Sequence, residues 1–159
     1  MAPRQLRVVT AAVAALVAGL LASCATDPSR DPGGQLTAVT QADAFTIKVG
    51  DCTGRLVESG ELTGVDLIPC AQPHHYEAFA ATDMKQADFP GQITTQREAE
   101  RFCTDAFAEF IGKPAAKSRY DLNFLYPTKA TWAAWDRQIL CLVGTNTTQI
   151  TGSLRGVGR

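Results

Sequence analysis

The chain has 159 residues, with 15 basic and 16 acidic side chains and a formal net charge of −1 at pH 7. This near balance, without a concentrated basic patch, excludes a typical nucleic-acid-binding protein, and we predict no nucleic-acid partner. Removal of residues 1–23 as a leader would leave 136 residues (159 − 23), the usual size of one domain.

The first 24 residues have the three parts of a secretory leader. Arg4 and Arg7 supply the positive start, and residues 8–21 form an uncharged apolar run that is short of the about 20 residues a bilayer-spanning helix needs. The segment Leu21-Ala22-Ser23-Cys24 resembles a bacterial lipobox, in which the cysteine thiol receives a diacylglyceryl group and becomes the first mature residue. We therefore predict a signal peptide over residues 1–23 and a lipoprotein anchored through Cys24 to the outer face of the cell membrane. The alternative is an ordinary signal peptide with a cysteine close by.

Residues 24–42 are predicted to be the lipidated cysteine followed by a flexible linker. The stretch is polar, lacks an apolar period and contains two prolines and two adjacent glycines. A single domain is then predicted over residues 43–159.

Short alternating segments predict strands at residues 45–49, 65–68 and 75–82. A continuous apolar run predicts a further strand at residues 138–144. The strongest element is a helix over residues 96–111, where apolar side chains recur at helical spacing. Thr95 and Glu98 match a capping box at its start, and Gly112 ends it.

After Cys24, four cysteines remain, and an even number in a small exported domain predicts two disulfides. Three pairings are possible, of which the simplest is Cys52–Cys70 with Cys103–Cys141, joining neighbours within each half. A zinc site is the competing interpretation, but the chain lacks a C-x2-C pair, so we predict no metal and no cofactor. The predicted fold is α+β: an antiparallel sheet of about four or five strands, one main helix packed across it, and two disulfides as staples.

His74 and Glu77 are the first candidate site residues. His74 follows Cys70 closely and is interpreted as a hydrogen-bonded structural group packed beside Asp51 or Asp136. The alternative is contact of His74 and Glu77 with a ligand. His74 and His75 would point to opposite faces of a strand, which disfavours one metal between them.

Asp136 and Arg137 complete the predicted polar cluster. They are interpreted as an ion pair that holds the last strand, with recognition of an anionic ligand by Arg137 as the alternative. Trp132 and Trp135 lie in the densest aromatic stretch, for which core packing and a glycan-stacking platform are both open.

Several short motifs occur in a fixed order, and each contains or precedes a cysteine or closes the chain: Gly50-Asp51-Cys52, Pro69-Cys70-x-x-Pro73-His74-x-x-Glu77, Trp132-x-x-Trp135-Asp136-Arg137 before Cys141, and Thr151-Gly152-Ser153-Leu154. Together with the lipobox, this order resembles the septum-formation domain of actinobacterial exported and membrane proteins. The resemblance covers residues 45–156. Trp135 departs from it, since the family has glycine there. The resemblance implies a link to cell division or to the envelope and carries no established catalytic activity.

The chain contains none of the motifs H-E-x-x-H, G-x-S-x-G or the phosphate-binding P-loop. We therefore predict a non-enzymatic envelope module that contacts a division protein, another envelope protein or cell-wall glycan. One alternative is a glycan-processing enzyme that uses His74, Glu77 and Asp136. Another is a lipoprotein that binds a small ligand or a metal through His74 and Arg137.

Overall fold

The computed structural model describes residues 27–56 and 64–158. The predicted leader and Cys24 lie outside these residues. Of the helices in the described part, none is both long and apolar enough to cross a bilayer. The predicted class, α+β with one main helix, is confirmed.

Six strands form one antiparallel sheet in the described ranges, which is more than the four or five predicted. Their order across the sheet is β1-β3-β2-β4-β6-β5. The strands are β1 (Thr40–Asp43), β2 (Cys52–Thr53), β3 (Gly64–Ile68), β4 (Tyr76–Asp83), β5 (Asp121–Leu125) and β6 (Gln138–Gly144). The main helix is α1 (Gln92–Ile111), and α2 (Lys129–Ala133) is a short second helix.

Both faces of the sheet are covered, which gives two cores. The helix core lies between α1 and the sheet and includes Phe107, Ile139 and Val143. The N-terminal core lies on the other side of β6 and includes Leu36, Ile47 and Leu140. Because successive side chains of a strand point to opposite faces, a strand covered on both faces has to be apolar throughout. This explains the unbroken apolar run of β6.

The structure corrects the N-terminal boundary of α1. The helix begins at Gln92, four residues before the predicted start, and its N-cap is Gly91 with a φ of 93°. Thr95 is therefore inside the helix, where its hydroxyl donates to the Gly91 carbonyl, so the predicted capping box with Glu98 is wrong. At the other end, Gly112 adopts the left-handed conformation, as expected of a glycine that ends a helix.

The segment before β2 also differs from the prediction. Residues 45–49 were predicted as a strand, but Ala44–Thr46 form a 3-10 turn because the Asp43 carboxylate accepts a hydrogen bond from the Phe45 amide. The predicted flexible linker is also wrong in its second half. Leu36 is buried in the N-terminal core, and residues 40–42 belong to β1, which pairs with β3.

The additional strands are short or lack a clear period. β2 has two residues, β1 lies in the polar stretch taken for a linker, and β5 has the mixed sequence DLNFL. Each is defined by its pairing with a longer neighbour. Local sequence patterns therefore did not reveal them.

Two disulfides staple these layers, with the neighbour pairing named above as the simplest. Cys52–Cys70 ties β2 to the turn after β3, with Cα atoms 5.2 Å apart. Cys103–Cys141 joins α1 to β6 through the helix core, with Cα atoms 5.4 Å apart.

Gly144 at the end of β6 is placed where a side chain has no room. A Cβ atom there would overlap the carbonyl oxygen of His75 and lie 2.7 Å from the Tyr76 Cα. We expect Gly144→Ala to lower the free energy of unfolding by roughly 1–3 kcal/mol, because backbone on the neighbouring strand would have to move. Urea denaturation measures the change. Gly64→Ala is the control, since its Cβ would meet the Ala42 carbonyl at an ordinary 3.6 Å. Equal losses in both variants would contradict the steric explanation.

Candidate functional site

Glu77 holds the C-terminal segment against the sheet. Its side chain is buried, and its two carboxylate oxygens accept hydrogen bonds from the Ser153 hydroxyl and the Leu154 amide, both at 2.7 Å. Leu154 in turn packs into the helix core. The carboxylate of Glu77 therefore has a structural task, which is to fix the turn that brings Leu154 into the core.

Backbone pairing supports the same contact. His74 and Ile150 exchange both of their backbone hydrogen bonds, at 2.9 and 2.8 Å, and the Gly152 amide donates to the Cys70 carbonyl at 2.7 Å. Two motifs about 75 residues apart in the chain are thus adjacent in space. One begins at Cys70 and ends at Glu77, and the other closes the chain.

His74 lies in the turn between Cys70 and β4 and is fully buried. Its Nδ1 donates to the Gln72 carbonyl at 2.9 Å, because a carbonyl oxygen can only accept. The other ring nitrogen, Nε2, has no hydrogen-bond partner in residues 27–56 and 64–158. His75 likewise donates from Nδ1, to the Thr145 carbonyl. The geometry corresponds to the structural interpretation of His74, although its partner is backbone and not Asp51 or Asp136.

The Asp51 carboxylate forms an ion pair with Arg30, which was not among the predicted site residues. Arg30 binds both carboxylate oxygens of Asp51, at 2.6 and 2.7 Å, in a bidentate ion pair. The Lys48 amide donates to the same carboxylate at 2.8 Å. The hydrogen bonds from Arg30 to Asp51 raise the pKa of the Arg30 guanidinium, and the charge of Asp51 adds to the effect while partial burial opposes it. The pair fixes the N-terminal segment on the sheet and keeps the Asp51 charge compensated.

The five predicted site residues do not form one cluster. Asp51 directly precedes β2 and lies across from Ala78, a residue of the N-terminal core, through the hydrogen bond from the Ala78 amide. Glu77 is the neighbour of Ala78 on β4, so its side chain points to the opposite face of the sheet. Arg137 lies beside Met84, just beyond the Asp83 end of β4. At about 3.3 Å per residue, that end is roughly 20 Å from Glu77.

Asp136 and Arg137 do not form the predicted ion pair. The Asp136 carboxylate accepts from the Gln138 amide, whereas Arg137 donates to the backbone carbonyls of Trp132 and Asp136 at 2.9 and 2.8 Å. The Arg137 guanidinium also lies 3.7 Å above the ring of Trp132. The guanidinium therefore binds the Trp132 carbonyl in the last turn of α2, as arginine does at many helix C-termini.

The two tryptophans have different environments. Trp132 is buried, donates from its indole nitrogen to the Ala87 carbonyl and packs edge-on against Phe89. Trp135 is 85% exposed, the most exposed large apolar side chain in the described part of the chain. The structure thus assigns Trp132 to the core and leaves Trp135 on the surface.

Trp135 also has an unfavourable backbone conformation. It has a φ of 67°, and it is the one residue other than glycine with a positive φ in the described ranges. The Trp135 and Asp136 amides donate to the carbonyls of Trp132 and Thr131, which is the Schellman pattern that ends a helix and usually has glycine at this position. A left-handed residue with a Cβ costs about 1–2 kcal/mol. Trp135 therefore combines backbone strain with exposure of a large aromatic surface.

Metal binding gains no support from the described residues, where no group of three His, Cys, Asp or Glu side chains is placed to hold an ion. Arg30 was not among the predicted site residues, because it lies in a polar stretch without a pattern. Ser153 belongs to the closing motif, but nothing in the sequence indicated that its hydroxyl contacts Glu77.

Comparison with known proteins gives one family. A family model described as "Septum formation" matches residues 19–118 and 49–157. No curated protein matches the chain, and no solved structure matches it.

Proposed function

The chain belongs to the septum-formation family, and on that premise we propose that it is a non-enzymatic envelope module that contacts a partner during septum formation. In this proposal the chain is exported, cleaved before Cys24 and anchored by a lipid on that cysteine to the outer face of the cell membrane. The support for the anchor is the lipobox-like sequence at residues 21–24. The support for the division role is the family.

The motif residues support a scaffold and not a reaction site. Glu77 binds the C-terminal segment, Asp51 binds Arg30, and Arg137 satisfies the end of α2. A glycan-processing enzyme built on His74, Glu77 and Asp136 would need these side chains around one substrate. The geometry gives that alternative no support, because the three side chains contact different parts of the backbone.

The exposed Trp135 is the observation that carries the proposal. Residues held in unfavourable backbone conformations are concentrated at functional sites, and tryptophan is enriched among the residues that dominate protein interfaces. A glycine at position 135 would remove both the strain and the exposed ring. The tryptophan is therefore explained most simply as a contact residue for a partner, which is either an envelope protein or cell-wall glycan.

We expect Trp135→Gly to separate stability from function. Glycine fits a φ of 67° without strain, so the variant should gain about 0.5–1 kcal/mol of unfolding free energy. The same variant should lose the partner, because the ring that makes the contact is gone. Urea denaturation gives the first quantity, and cross-linking in growing cells with identification of the captured proteins and glycan fragments gives the second.

Two further variants make this test specific. Trp135→Ala removes the ring but keeps the left-handed residue with a Cβ, so it should lose the partner without the gain in stability. Ile93→Ala removes another exposed apolar side chain, on α1, and should leave capture unchanged. Capture of the same division or cell-wall components by Trp135→Gly and by the wild type would contradict the assignment of Trp135 as the contact residue.

A further inference from the structure

The N-terminal segment joins the folded domain close to the proposed lipid anchor. Arg30 is held by the bidentate pair with Asp51 and also donates to the Gly34 carbonyl. Arg30 is six positions after Cys24 in the sequence, and even a fully extended chain of that length spans only about 20 Å. If the flexible linker extended to residue 42 as predicted, the chain between the lipid and the domain would be three times as long.

This tether is short compared with the domain. A domain of this size has a radius of gyration of about 14 Å and is roughly 35 Å across. A lipid on Cys24 lies in the membrane interface, so Arg30 must stay within about 20 Å of it. The domain therefore cannot turn freely, because orientations that place Arg30 on the side away from the bilayer are out of reach.

An exposed apolar loop lies on the surface beside Arg30. The carboxylate that binds Arg30 also accepts the Lys48 amide, and the Asp51 amide donates to the Lys48 carbonyl, so residues 45–49 are adjacent to the Arg30 attachment. Phe45 is 62% exposed and Val49 is 51% exposed. Between them, Ile47 is buried in the N-terminal core and holds the loop in place.

We propose that residues 45–49 form a second membrane contact beside the lipid anchor. Phe45 and Val49 enter the interfacial layer of the bilayer, and the exposed Lys48 meets anionic headgroups, as apolar and basic side chains do at membrane surfaces. The occupant is the lipid surface because a tether of six residues brings that surface to the loop. This inference rests on the proposed anchor at Cys24. It adds a fixed orientation, with the loop towards the bilayer.

The test uses the full acylated chain in vesicles of phosphatidylethanolamine and phosphatidylglycerol. Val49→Cys introduces a thiol for a fluorescent probe, and the disulfides Cys52–Cys70 and Cys103–Cys141 keep their cysteines from reacting. Lipids that carry a nitroxide near the headgroup should quench most of the emission of this probe. Ile93→Cys is the matched control, since Ile93 is also an apolar residue and is more exposed than Val49, but lies on α1, across the sheet from the loop. Its probe should keep its emission.

Two changes on the surface should reduce the quenching at position 49 without affecting the fold. Phe45→Ser removes the larger apolar contact, and Lys48→Glu reverses the exposed charge. Equal quenching at positions 49 and 93 in vesicle-bound protein, or quenching at 49 that neither change reduces, would overturn the membrane contact while leaving the anchor intact. Vesicle binding that is unchanged in Cys24→Ala would instead overturn the anchor, and the inference with it.

Discussion

The Cys103→Ala, Cys141→Ala double variant is expected to lose about 4 kcal/mol of unfolding free energy, since the bridge constrains a loop with a sequence separation of 38 in the unfolded chain. Both cysteines are fully buried in the helix core, so the two alanines also leave unfilled space between α1 and β6. Small domains have a net stability of only about 5–15 kcal/mol. The change should therefore remove a large part of the stability of this one.

The other bridge provides the matched control. Cys52–Cys70 has a sequence separation of 18, and the same loop-entropy argument gives about 3 kcal/mol for its removal. Urea denaturation under oxidising conditions measures both double variants against the wild type. A larger loss for Cys52→Ala, Cys70→Ala than for the helix-core pair would contradict the loop-length argument and would point to strain or packing as the main contribution.

The sequence predicted the elements whose side chains repeat with a clear period. The apolar stripe of α1 lies against the helix core, and the apolar run of β6 lies between the helix core and the N-terminal core. Burial of those side chains produces both patterns. Thr95 shows the limit at a helix boundary. The spacing of Thr95 and Glu98 predicted a capping box at the start of the helix. In the structure Thr95 lies inside the helix, and its hydroxyl donates to the Gly91 carbonyl.

The N-terminal segment was mispredicted because long-range contacts define it. Arg30 and Asp51 are 21 residues apart, and β1 is a strand because it pairs with β3 and not because its own sequence alternates. A polar segment rich in proline and glycine is typical of linkers when it is considered alone. The ion pair of Arg30 with the buried Asp51 carboxylate fixes this segment on the sheet, and the composition of the segment does not indicate that contact.

The candidate site was predictable in its residues and not in its contacts. The motif order selected Asp51, His74, Glu77, Asp136 and Arg137, and each of them makes a defined hydrogen bond in the structure. Their partners are mostly backbone groups, which every residue carries and which leave no mark in the sequence. The strain at Trp135 was visible only as a tryptophan at the place of a family glycine, and the left-handed backbone now gives the physical reason for that glycine.

Glu77→Ala is expected to lower the unfolding free energy by roughly 3–5 kcal/mol, because hydrogen bonds to a carboxylate contribute about 1.5–3 kcal/mol each and two are lost. The Leu154 amide is buried and would be left without its acceptor, and the closing segment would lose its attachment to the sheet. The Ser153→Ala variant removes one of the two hydrogen bonds, so it should lower the unfolding free energy by no more than about 1.5–3 kcal/mol. Urea denaturation measures both, with Glu100→Ala on the exposed side of α1 as a control that should stay near the wild type.

The same variant separates the scaffold interpretation from the enzymatic one. If Glu77 is structural, Glu77→Ala should lose stability, and limited proteolysis should cut first near residues 150–154, where the closing segment is released. Cell-wall fragments should remain uncleaved by both the wild type and the variant. If instead Glu77→Ala kept wild-type stability while purified wild-type protein cleaved such fragments and the variant did not, the carboxylate would be a catalytic group. The contact with Ser153 and Leu154 would then be incidental, and the proposed non-enzymatic role would be wrong.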